Sequence, residues 1–175
     1  MTTSVDLEEL RAKARAANVS DKTFLATDYL NHFNEAMMLL ELVPDMPECI
    51  EDLTDWQPVS YEGHFQRSGF AGKDVAIEAY THAPDMYRKP FDEIIRQLNE
   101  LILVAIKGAS AMIHRDRIDD ASVIISFAMP EIKRLQGNAG AIINGAEVTI
   151  QLRDEVVANA ENTLDQAKID SLMNG

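Results

Sequence analysis

Apolar residues recur at three- and four-residue spacing along most of this chain, and prolines set the intervals between those runs. The pattern predicts a short helix from Val5 to Ala17, beginning at Thr3 or Ser4. A long helix follows from Asp21 to Val43, capped by Ser20 and stopped before Pro44. Its apolar face is Leu25, Tyr29, Phe33, Ala36, Met37, Leu40 and Val43.

The middle third reads differently. Five of the six prolines fall between residues 44 and 90, which predicts short helices and turns there. Pro47 starts one through Trp56. Ser60 caps another through Arg67, with Gly69 as its stop. A third spans Lys73 to His82. Pro90 then suits the first turn of a second long helix, ending near Ile113. Phe91, Ile94, Ile95, Leu98, Leu101, Ile102, Ala105, Ala109, Met112 and Ile113 form its stripe.

Asp119 or Asp120 caps a third long helix, kinked by Pro130 and weakened by Gly137, Gly140 and Gly145. The run Ser122 to Ala128 also suits a strand, but it has no evident mate. A fourth helix, Ala146 to Asn162, carries Val148, Leu152, Val156 and Ala160 on one side. Together these elements predict an all-α fold. Its core is four-helix-bundle-like, with an inserted cluster of short helices and a C-terminal docking helix. Residues 1–160 read as the bundle domain and 161–175 as a tail. Val148, Leu152 and Val156 suit either the core or the seam of a homodimer.

Charge narrows the partners. A formal net charge of −13 disfavours nucleic acid and anionic membrane surfaces, because both terms are repulsive. A basic partner patch is the natural complement. The start of the chain has no basic region followed by an apolar run, which argues against a secretion signal. The longest apolar stretch, Leu98 to Met112, contains Glu100 and Lys107 and does not suit a membrane span. A cytoplasmic protein is the expectation. The single cysteine, Cys49, excludes an intramolecular disulfide, and its neighbours Glu48 and Glu51 disfavour a reactive thiolate.

Metal chemistry is poorly served. A di-iron bundle needs Glu-x-x-His pairs, and none of His32, His64, His82 and His114 completes one. His32 reads as a hydrogen-bonded core histidine and His114 as a solvated one. No cofactor is expected. The cluster Asn31 to Glu35 beside Met37 and Met38 suits core packing, or a groove for a partner helix.

The last twelve residues are the most informative. Ile169, Leu172 and Met173 fall at i, i+3 and i+4, so a helix there would present three apolar anchors. Thr163 and Gln166 have capping-box spacing, and Asn174-Gly175 suits a stop. Leu164, Gln166, Ile169, Asp170, Leu172, Asn174 and Gly175 match the CheY-binding segment of the flagellar switch protein FliM, and the tail resembles that family's segment. Asp165, Lys168 and Met173 stand where the family has Ser, Glu and Leu. The resemblance implies a CheY-like response regulator as partner, bound by Leu164, Gln166, Ile169, Asp170, Leu172 and Met173. The same spacing also suits the end of a bundle helix, which would make the chain a helical scaffold or metal-binding bundle with a structural tail.

Burying three such anchors yields roughly 5–9 kcal/mol gross. Ordering the tail returns about 2–5 kcal/mol. The remainder fits a transient, roughly micromolar contact.

A helical body with a regulator-binding tail is also similar in plan to the chemotaxis phosphatase CheZ. That family uses Asp-x-x-x-Gln to anchor the regulator and orient the attacking water. The nearest spacings here are Glu93-x-x-x-Gln97 and Glu147-x-x-x-Gln151. Glu93 and Gln97 are the better catalytic candidates, although such pairs are also ordinary on a solvated helix face.

Overall fold

A computed structural model describes residues 6–147, and these form seven α-helices with no strand among them. The expected fourth helix and the tail, with Leu164, Gln166, Ile169, Asp170, Leu172 and Met173, lie outside the described residues. So does the Val148–Leu152–Val156 seam. Among the described residues no helix is long and apolar enough to cross a membrane.

Helix α1 covers Leu7–Ala16. Its cap is Asp6, whose Oδ1 accepts from the Glu8 and Glu9 N–H groups at 3.0 and 3.4 Å. The start is therefore later than Thr3 or Ser4.

The long helix expected over Asp21–Val43 is broken. Ser20 does engage the chain ahead of it, its Oγ accepting from the Thr23 N–H at 3.2 Å. Phe24 then turns left-handed, at φ +58°. A 3-10 turn covers Thr27–Leu30, and α2 covers only Asn31–Leu42. The cause is tertiary. The Thr23 hydroxyl donates to the Ile143 carbonyl at 2.7 Å and accepts from the Leu25 N–H at 3.3 Å, which holds this stretch out of a helix. The predicted face is nonetheless the buried one. Leu25, Tyr29, Phe33, Ala36, Leu40 and Val43 are all in the core, with Met37 packed at its edge.

The proline-rich third folds into α3 (Cys49–Leu53), α4 (Tyr61–Arg67) and α5 (Lys73–Thr81). Helix α3 is much shorter than the expected Pro47–Trp56. Ser60 caps α4, accepting from the Gly63 N–H at 3.0 Å. Ser68 ends that helix in extended backbone, one residue before Gly69.

Helix α6 runs from Asp85 to Ile113, so Pro90 lies inside it and not at its start. Pro84 is the residue before the helix, at φ −57°. Pro90 withholds the N–H that would reach the carbonyl of Met86, an exposed residue, and water can serve that acceptor. The stripe Phe91, Ile94, Ile95, Leu98, Ile102, Ala105 and Ala109 is buried as predicted, while Leu101, Met112 and Ile113 are partly buried.

Helix α7, Ile118–Ile143, passes unbroken through Pro130, Gly137 and Gly140. Ser122 to Ala128 is helical. Arg117 is the residue before α7, and Asp119 and Asp120 sit in the first turn, not at the cap. Arg117 Nε donates to Asp120 Oδ2 at 2.6 Å. The helix ends at Ile143 with Asn144 as its cap, and Gly145 follows at φ +91°, a conformation that favours a residue without Cβ.

Helices α6 and α7 form an antiparallel hairpin joined by a four-residue turn. Helix α2 packs on both of its helices and α3 on α6. Thr23 and Lys22 close the seam at the end of α7, the Lys22 ammonium donating to the Gly145 carbonyl at 3.0 Å.

Candidate functional site

Three regions bear on function, and each follows from where α6 places its faces. The first is the polar side carrying Glu93 and Gln97. They lie one turn apart, as the spacing requires, but their polar atoms meet each other. Gln97 Nε2 donates to Glu93 Oε1 at 2.8 Å. Arg96 grips the same carboxylate through Nε, at 2.9 Å, and through Nη2, while Nη1 donates to Glu100 at 2.7 Å. Hydrogen bonding to Glu93 is the main cause that holds the Arg96 guanidinium charged beyond its ordinary range. An amide that orients an attacking water must present itself to the partner. Here one of the two Gln97 side-chain N–H groups is donated one turn back along its own helix.

The second region is an aromatic joint where the 3-10 turn, α4 and α6 converge. Tyr29 meets Tyr61 at 5.1 Å and Phe91 at 6.1 Å between ring centroids. Tyr61 stacks on Tyr80 at 4.5 Å. The hydroxyls are assigned: Tyr29 donates to the Val59 carbonyl at 2.6 Å, and Tyr61 accepts from the Ala26 N–H at 2.9 Å. Burial pushes both phenols above their ordinary range. Tyr80 donates to Asp92 Oδ1 at 2.7 Å. Partial burial raises the Asp92 carboxyl, opposed by that hydrogen bond and by Arg88.

A cleft of about 330 Å³ opens above this joint, bounded by Pro58, Ser60, Tyr80, Asp92 and Arg96. Tyr29, Tyr61 and Phe91 form its floor, but they expose almost nothing. The rings seal the floor against each other and offer no open face to a ligand. A larger, polar cleft of about 740 Å³ lies where the residue 18–34 segment meets the end of α7. Asn34 Oδ1 accepts from Gln136 across it at 2.6 Å.

Two of the four histidines, His32 and His64, pack beside this joint. His32 Nε2 lies 2.8 Å from the Gln57 carbonyl, and its ring stacks on Trp56 at 4.8 Å. It is hydrogen-bonded as expected, though half-buried and not in the core. Burial lowers its pKa from 6.5. His64 Nε2 lies 3.0 Å from Asp28 Oδ2, with its ring edge-on to Tyr29 and Phe65. The 36-residue separation of Asp28 and His64 left no local signal for this pair. His114 is exposed, 3.3 Å from Glu51. Among the described residues no group of three or more His, Cys, Asp or Glu could hold a metal ion. Cys49 is buried.

The third region was not singled out by sequence reasoning. Val104 on α6 and Val123 and Phe127 on α7 are exposed by 65%, 51% and 81%. Val123 and Phe127 are four residues apart, and that spacing alone carried the signal. A Cβ placed on Gly108 would lie 3.4 Å from the Ile124 side chain, so those two positions are level across the hairpin. One turn away, Val104 is level with Phe127 and Ala128, because the helices run antiparallel. The three exposed side chains therefore flank one contact.

Comparison with known proteins found no matching family model, no matching curated protein and no matching solved structure.

Proposed function

We propose that this chain is a cytoplasmic binding module of bacterial chemotaxis or flagellar control, docking a CheY-like response regulator through residues 164–173. The observation that carries the reading is the tail pattern itself. Ile169, Leu172 and Met173 supply anchors at helical spacing, and Gln166, Asp170, Asn174 and Gly175 complete the FliM-like run. The acidic character of the chain favours a partner with a basic surface. A phosphatase role for Glu93 and Gln97 draws less support, because the sequence has Glu where that family has Asp and one Gln97 N–H is donated to Glu93.

The test is a titration of the full chain, and of a labelled peptide of residues 160–175, against the host's CheY-like regulators. Each is run with and without a phosphoryl mimic. Saturable binding that strengthens with the mimic and is lost in Ile169→Ala supports the reading. No binding to any regulator overturns it. Gln97→Ala then separates binder from enzyme: a phosphatase loses turnover and keeps binding.

A further inference from the structure

We propose that the patch formed by Val104, Val123 and Phe127 is a resting dock for the chain's own residues 164–173. Self-docking and partner docking then exclude one another. The inference rests on the reading above, since it assigns the same anchors a second place to go.

The patch is anomalous in its setting. Phe127 is 81% exposed in the middle of a long helix, while most other phenylalanines of the described residues lie in the core or against it. Exposed apolar residues that cluster mark an interaction surface more often than singly scattered ones do. The patch is built on two packed helices, so it is a firm surface and not a loop.

The occupant follows from reach, chemistry and charge. From Phe127 to the end of α7 at Ile143 is about 16 residues, roughly 24 Å along the helix. The described chain ends at Glu147, close to that terminus. Leu164 lies about 17 residues further on, a span of roughly 25 Å if helical and twice that if extended. Either length is sufficient for the tail to reach back to the level of Phe127.

Three apolar anchors then meet three exposed apolar side chains. Lys107, exposed and one turn along α6 from Val104, offers a cation to Asp165 or Asp170. A tethered segment also has the advantage over a second copy. Its effective concentration is about millimolar, whereas two chains of charge −13 repel. Anchors with roughly micromolar affinity for a good partner would occupy even a weaker site on their own chain.

The experiment uses the full chain in a Cys49→Ala background. One variant carries Phe127→Cys with Ile169→Cys, and a control carries Phe127→Cys with Ser171→Cys on the opposite side of the expected tail helix. Each is oxidised mildly and followed by non-reducing electrophoresis. The dock predicts an intramolecular disulfide that forms at least tenfold faster for Ile169→Cys than for the control. Equal rates, no disulfide, or a disulfide-linked dimer would each overturn it.

A second readout joins this to the regulator. Phe127→Asp should raise the affinity of the full chain for the regulator at least fivefold, toward that of the free peptide. Unchanged affinity would count against competition between the two docks. If the peptide binds no regulator, the functional reading fails while the disulfide rates still decide whether the tail docks on this face. Phe127 is exposed, so substituting it leaves the core intact, and the Cys49→Ala background is common to the disulfide variant and its control.

Discussion

Two phenylalanines separate the two halves of this molecule. Phe65 in the aromatic joint is fully buried, with rings of Tyr61, His64 and Phe70 around it at 4.9, 5.0 and 5.5 Å. Phe127 on the outer side of the hairpin is almost wholly exposed. The residue type is the same, and the local structure is helical at both. What differs is whether another element arrives to cover the ring. In the proline-rich third, short helices are turned back onto α6 and close over their own aromatics. On α7, no other described element covers the outer face that carries Val123 and Phe127. Burial is therefore a property of topology as well as of residue type.

That contrast can be broken most severely at the joint. Phe65→Ala should destabilise the protein by about 3–5 kcal/mol, measured by urea denaturation, through lost burial and the cavity left behind. A loss below about 1 kcal/mol would mean that the joint is not a closed core. Thr23→Val tests the polar tie between the joint and the hairpin. It leaves the Ile143 carbonyl and the Leu25 N–H without their partner, at a cost of about 1–3 kcal/mol. Hydrogen exchange at Leu25 should accelerate in parallel.

Phe127→Ser should change global stability by about 1 kcal/mol or less, in line with surface substitutions. A loss as large as that of Phe65→Ala would erase the distinction between the regions.

The smallest effect concerns pH. The folded pKa of His32 is depressed by burial, so its neutral form is favoured in the native state. The unfolded chain then binds more protons than the folded one below 6.5. This contribution is full above pH 6.5 and is lost as pH falls through the lower folded value. An NMR titration of the His32 ring with a midpoint at or above 6.5 would contradict it.

Local devices were legible in the sequence. Ser60 capped its helix, and Lys73–Thr81 appeared almost where the pattern placed it. The core stripe on α6 was read at nearly every position. These signals need only neighbours a few residues away. The break between Ser20 and Asn31 was not legible, because its cause, Thr23 bonding to Ile143, lies far along the chain. Pro90 lies inside its helix and not at the start for a related reason, and Pro130 likewise sits within α7. Each removes one helix hydrogen bond, and each is tolerated because exposed residues surround the orphaned carbonyl. Asp28–His64 and Tyr80–Asp92 depended on helices meeting at angles that periodicity does not encode. The candidate docking tail was visible only as a pattern, and the patch proposed to receive it only in three dimensions.

The bond from Thr23 to the Ile143 carbonyl sets an order of events. The donor is synthesised 120 residues before its acceptor. Closing so long a loop is slow compared with forming local helices. While the chain emerges from a ribosome, the stretch from Ser20 to Leu30 has no partner that holds it out of a helix, and its own apolar periodicity favours one. Completion of α7 is then what forces that stretch into its final broken form. A chain halted before Ile143 should carry a longer helix across residues 20–42 than the finished protein does.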